Sequence, residues 1–210
     1  MQARNLIRFI FVIGVLSSSV LPVGCGGTNP MSPDLLPAVG LSRAGDSFPV
    51  GGQLAAVRAA TARYHDISTA MAEGFTIENE PCVAEASGVM GIHALNFARL
   101  GDQLNDPVQP EILLYTPNPA GGYRLVGVEY FRIVLVRNLQ TDEVGPWMGH
   151  EPWGAGYEVV GSTPTLFGQP FDGPMEGHTP TMPWHWDLHA WIWAKNPSGI
   201  FAPFNPALSC

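Results

Sequence analysis

The histidines of this chain are the first place to look for chemistry. There are six, and three cluster as His178-x6-His185-x3-His189. Imidazole is the commonest metal ligand and the usual acid–base group near neutral pH. The segment Trp184-His-Trp-Asp-Leu-His-Ala-Trp-Ile-Trp193 around two of them is aromatic-rich and alternates with a period of two, which predicts a β-strand. On a strand, His185, Asp187 and His189 share one face, and Trp191 and Trp193 continue it. His185 and His189 then stand about 13 Å apart, too far to chelate one ion, whereas the pairs His185/Asp187 and Asp187/His189 stand about 6.6 Å apart. Any further ligands must come from neighbouring strands. Read as a helix, the same segment puts His185 and His189 one turn apart, the spacing of the His-Glu-x-x-His metalloproteases. Trp186 stands where their glutamate should be, which sets that chemistry aside.

Glu129 is the second feature. It interrupts the apolar run Leu125-Val-Gly-Val-Glu-Tyr-Phe131. A buried carboxylate is costly unless it is paired, hydrogen-bonded or metal-bound, so Glu129 reads as a ligand or a general base. It reads equally as part of a solvated strand face, because Leu125, Gly127, Glu129 and Phe131 alternate away from Val126, Val128 and Tyr130. His93 follows Gly88-Val-Met-Gly-Ile92, and neighbouring glycines allow close approach to a site; the other reading is a hydrogen-bonded core residue. His65, beside Tyr64, reads as structural. His150, in Gly149-His-Glu-Pro-Trp153, has no second ligand in register. The candidate metal set is therefore His93, Glu129, His178, His185 and His189, with Asp187 as a ligand or as the group that orients one. Mixed imidazole and carboxylate ligands suit Zn, Cu, Fe or Ni.

Other chemistries find little support. There is no Gly-x-Ser-x-Gly elbow, phosphate loop or dinucleotide fingerprint. The His-x-His pair of cupin-type metal barrels is absent too, with only the alternation His185-x-Asp187 and Asp187-x-His189 preserved. The formal net charge is −8 and lysine occurs once, at Lys195, which excludes a basic nucleic-acid footprint. The six tryptophans offer a different class of function, a non-enzymatic binding or assembly surface for a glycan, an apolar ligand or a membrane-complex partner. Their commoner use is to fill a core.

The elements that must position these residues follow from periodicity. Leu54, Val57, Ala60, Tyr64, Ile67 and Met71 recur at three- and four-residue steps, which predicts one amphipathic helix over 53–73, stopped by Gly74. Glu111–Thr116 and Tyr123–Val136 read as strands joined by the turn Pro117-Asn-Pro-Ala-Gly-Gly122. Glu158–Val160 and Leu166–Gly168 are short strand candidates. The proline-rich stretch Asn196–Pro206 reads as an irregular strap. Gly and Pro number 24 and 20, and charged residues make up only 13%, which argues against a long-helix bundle and a charge-rich disordered chain. The expected fold is α+β, with an antiparallel β-sheet or partial barrel packed against one N-terminal helix.

The N-terminus reads as an export signal over residues 1–24. Arg4 and Arg8 precede the apolar run Ile10–Leu16, which is too short to span a bilayer comfortably. Leu21-Pro-Val-Gly-Cys25-Gly-Gly27 resembles a bacterial lipoprotein signal, with Cys25 as the lipidated residue, although Pro22 stands where a Leu is usual. Residues 25–49 read as a flexible tether and 50–210 as one domain. The expected location is the periplasm or cell surface, held to the membrane through Cys25. Cys82 and Cys210 form the remaining even pair, and in an oxidising compartment two such cysteines pair with each other.

The stretches Tyr64-His-Asp66, Pro81-Cys-Val83, Met90-Gly-Ile-His93, Val128-Glu-Tyr-Phe131, His185-Trp-Asp-Leu-His189 and Phe201-Ala-Pro-Phe-Asn-Pro206 resemble a set of uncharacterised exported bacterial proteins. That resemblance covers most of the exported domain and implies no activity.

Overall fold

The computed structural model of the chain describes residues 50–77, 81–148, 150–178 and 181–210, all within one unit, Leu41–Cys210. The expected signal segment, Cys25 and the tether lie outside the described residues.

The helical segment is broken where one helix was expected over 53–73. It consists of α1 (Val50–Thr61), a 3-10 turn (Ala62–His65) and α2 (Ile67–Ala72). The break is at Asp66, whose backbone is extended and whose carboxylate accepts hydrogen bonds from Ser68 N, Ser68 Oγ and Thr69 Oγ1 at 2.6–3.0 Å. A side chain that caps its own neighbours competes with helix continuation. Val57, Tyr64 and Ala70 face the core, but Met71 does not. Gly74, at φ +91°, ends the segment as expected.

The strands are β1 (Phe75–Ile77), β2 (Val83–Glu85), β3 (Gly88–Asn96), β4 (Ile112–Pro117), β5 (Tyr123–Ile133), β6 (Leu135–Asn138), β7 (Val144–Pro146), β8 (Tyr157–Val159), β9 (Thr165–Leu166), β10 (Gln169–Pro170), β11 (Asp172–Met175) and β12 (His185–Ala190), with α3 (Phe97–Asp102) between β3 and β4. Seven of them form an open antiparallel sheet in the order β1-β3-β4-β5-β12-β11, with β2 also paired to β3; it does not close into a barrel. The long strand expected over 123–136 divides at Val134, and its end joins a separate sheet in the order β7-β6-β8. Val134 N–H donates to Trp184 O at 2.7 Å, and its carbonyl accepts from Trp147 N at 3.2 Å, so the chain changes sheets without leaving these groups unpaired.

The sheet has two buried faces. Tyr64, Phe75, Leu113, Val128, Tyr130 and Leu188 belong to the cluster beneath the helices, while Ile112, Leu114, Val126, Phe131 and Trp191 form the opposite one. A bulge sets which residue goes where. Leu114 faces Gly127 and Tyr115 faces Leu125, so Val126 is the additional residue on β5. The extra residue reverses the parity of the strand at that point. Leu125 therefore joins the helix-side cluster and Val126 the other, contrary to simple alternation.

The tryptophans of 184–193 pack inward. Trp184 and Trp191 are buried, and Trp186 and Trp193 are half-buried against the core clusters. Trp193 does not share the face of His189. β12 ends at Ala190, and the Trp193 indole donates to Thr61 Oγ1 of α1 at 3.2 Å.

The C-terminal strap is tied down twice. Asn205 and Val89 exchange both backbone hydrogen bonds, at 2.9 and 3.1 Å. Cys82 and Cys210 form the expected disulfide, with Cα atoms 5.7 Å apart. Gly88 makes the first contact possible, because a Cβ there would lie 2.6 Å from the Asn205 carbonyl carbon. No helix among the described residues is long and apolar enough to cross a membrane.

Candidate metal centre

Three strands each contribute one candidate ligand to the sheet face opposite α1 and α2. His93 comes from β3, Glu129 from β5 and His189 from β12. Glu129 and His189 are direct cross-strand partners. His93 is diagonal to them, since it pairs with Leu114, which pairs with Gly127. Gly127 keeps this corner tight. A Cβ on it would sit 3.0 Å from Ala190 O and 3.3 Å from the Trp191 ring. Trp191 lies stacked against the His189 ring, with centroids 6.2 Å apart.

The ligand atoms converge. His93 Nε2 lies 3.2 Å and His189 Nε2 lies 3.6 Å from the same oxygen, Glu129 Oε2. One atom from each residue can be chosen so that all three lie within 4.8 Å of one another. Bonds of about 2.1 Å to a single ion place adjacent ligand atoms about 3.0 Å apart in octahedral and about 3.4 Å in tetrahedral geometry. The 3.2 Å spacing falls in that range, and the 3.6 Å one lies just beyond it.

His189 is fully buried, yet neither of its ring nitrogens has a hydrogen-bond partner. Behind it stand Asp187 and His185, both also buried. His185 Nδ1 lies 3.2 Å from the carbonyl oxygen of Pro183, and a carbonyl only accepts, so that nitrogen carries the ring proton. His185 Nε2 then presents a lone pair toward Asp187 Oδ2, 4.0 Å away, and Asp187 Oδ1 lies 3.8 Å from His189 Nδ1. These distances are too long for hydrogen bonds. His189 is thus set with Nδ1 toward Asp187 and Nε2 toward Glu129. A proton or a cation between His189 Nε2 and Glu129 would satisfy both atoms. In metal sites a second carboxylate fixes the tautomer of the ligating ring, the carboxylate–histidine–metal relay, and Asp187 stands where such a group would be.

Charge states agree. Burial lowers His189 and His185 to about 4, so both imidazoles are neutral at pH 7. Burial, with the Glu129 charge next, raises Asp187 to about 8, so it is protonated there. For Glu129 burial acts upward, but the positive charge of His189 when protonated, a hydrogen bond from His93 and the charges of His93 and His185 outweigh it and hold the carboxyl below its usual range.

His93 and Glu129, but not His189, form the floor of a cavity of about 210 Å³. Leu95, Ile112, Phe131 and Ile133 line its walls, with Phe97 and Leu100 of α3 on one side and Thr181, Met182 and Pro183 on the other. His178 is exposed and lines the same cavity, its ring 5.6 Å from that of His185.

Of the residues expected at the site, the structure brings together His93, Glu129 and His189, places Asp187 and His185 behind His189, and leaves His178 outside the converging set. Glu129 is not on a solvated face; it is 4% exposed. The strand face of His185, Asp187 and His189 is as expected. His65 packs edge-on against Trp193 and His150 pairs with Glu176 at 2.7 Å, both on exposed positions away from the triad. Sequence reasoning missed α3, which supplies one wall of the cavity. Its signal was Asn96, whose side chain caps the helix by accepting from Arg99 N. It also passed over Glu111, a third buried carboxyl, which accepts from Phe131 N at 3.3 Å.

No protein-family model matches the chain, and neither the curated proteins nor the solved structures compared with it include a match.

Proposed function

We propose that this chain is an exported metalloprotein with one transition-metal ion held by His93, Glu129 and His189. The observation that carries the reading is the convergence of three buried ligand atoms from three strands on one point, with both ring nitrogens of His189 otherwise unpartnered. Two imidazoles and one carboxylate leave coordination positions open for water or a ligand, the arrangement of catalytic rather than structural sites. The open side faces the cavity. Asp187 orients His189, and Zn, Cu, Fe or Ni all suit the donor set. An open position supports metal-assisted hydrolysis or oxidation.

The location belongs to the same proposal. The Cys82–Cys210 disulfide fits an oxidising compartment, and the N-terminal pattern fits export with a lipid anchor on Cys25, in the periplasm or at the cell surface. The alternative, a binding role through the tryptophans, has less support from the strand 184–193, where Trp184 and Trp191 are buried and Trp186 and Trp193 half-buried in the core clusters.

Titration of metal-free protein with Co²⁺ tests the site. A ligand-field absorption saturating at one ion per chain, and lost in His93→Ala and Glu129→Ala, is the expected result. Absorption unchanged in both variants overturns the assignment.

A further inference from the structure

The cavity above the metal ligands is chemically one-sided. Its walls are Leu, Ile, Phe, Met and Pro side chains with the single hydroxyl of Thr181, and its ionisable groups are His93 and Glu129 on the floor and His178 at the exposed edge. No Lys or Arg lines it among the described residues. A carboxylate, phosphate or sulfate on the body of a ligand would therefore meet hydrocarbon with no cation to pair with, which is strongly unfavourable. A polyhydroxylated body would lose its water without replacement hydrogen bonds. Polar partners are confined to the floor, at His93 and Glu129, and to the exposed edge, at Thr181 and His178. Size sets a second limit. An apolar cavity of about 150 Å³ holds benzene, so the 210 Å³ here admits one ring with a short substituent.

We infer that the centre takes a small molecule with a single polar end, which reaches the metal, and an otherwise uncharged, apolar body about the size of one substituted ring. This rests on the metal reading above and adds the ligand class. It excludes sugars, amino acids, phosphate esters and diacids as the molecules acted on.

The test uses the full chain loaded with Co²⁺ and two probes that share a phenol head. 4-Methylphenol carries an apolar far end, and 4-hydroxybenzoate carries a carboxylate there. 4-Methylphenol is expected to shift the cobalt absorption and to bind at least tenfold more tightly than 4-hydroxybenzoate. Leu100→Trp fills the cavity from α3 and touches no ligand. It is expected to keep its cobalt and to lose at least tenfold in 4-methylphenol affinity. Equal or tighter binding of 4-hydroxybenzoate, no 4-methylphenol binding to cobalt-loaded protein, or unchanged affinity in Leu100→Trp overturns the inference while leaving the metal site standing. Failure to take up cobalt at all overturns the metal reading instead, and is seen before any probe is added.

Discussion

Two buried titratable groups should tilt the pH dependence of stability in opposite directions. His185 is lowered by burial from 6.5 to about 4 in the fold. The unfolded chain therefore binds a proton that the folded chain refuses, and stability falls as pH drops from about 6.5 toward 4. Between pH 7.5 and pH 5 that loss is about 2 kcal/mol. Glu111 is raised by burial from 4.5 to about 8. Its contribution is fully present below pH 4.5 and is lost as pH rises through 8, so lowering pH from 7.5 to 5 restores about 3 kcal/mol. Substituting each group removes its own term. Relative to wild type, His185→Leu should gain about 2 kcal/mol on going from pH 7.5 to 5, and Glu111→Gln should lose about 3 kcal/mol. Urea unfolding at the two pH values, with chelator present to remove metal linkage, gives each difference directly, and any cavity or strain cost of the substitution cancels between pH values. Profiles parallel to wild type, or shifts of the same sign, would refute the placement of these groups as buried neutral species.

Cys82→Ser/Cys210→Ser should unfold about 2–5 kcal/mol more easily than wild type under non-reducing conditions, measured by urea denaturation, and non-reducing peptide mapping of wild type should show the two cysteines linked. Asp187→Asn should retain the fold but weaken metal binding about 10–100-fold, read by competition with a chromophoric chelator; unchanged affinity would remove Asp187 from the relay. Expressed in a bacterium, wild type should partition into detergent and Cys25→Ser into the aqueous phase; identical aqueous partition would eliminate the lipid anchor.

The strand of His185, Asp187 and His189 was legible because its period-two pattern coincides with real burial on one face, and the β4–β5 hairpin because Pro117–Gly122 separates two apolar runs. The break at Asp66 was not, since the apolar spacing of Tyr64 and Ile67 continues across it and only the capping by Asp66 shows the interruption. The solvated reading of Glu129 rested on its alternation with Val128 and Tyr130, which holds, but the second face is covered as well, by Phe131, Trp191 and Leu100 of α3. Which histidines join Glu129 depends on strand order. His93 and His189 are far apart in sequence, and only the order β3-β4-β5-β12 brings them to one carboxylate oxygen. His178, grouped with the others by sequence proximity, lies on a loop outside the converging set for the same reason.

Metal content per chain is the most direct test of the central claim. Protein purified without chelator or affinity tag should carry one Zn, Cu, Fe or Ni ion per chain by elemental analysis, and His189→Ala and Glu129→Ala should carry none while keeping the wild-type circular dichroism spectrum. Wild-type protein that holds no metal as purified, and takes up none on reconstitution with each of the four ions, would contradict it.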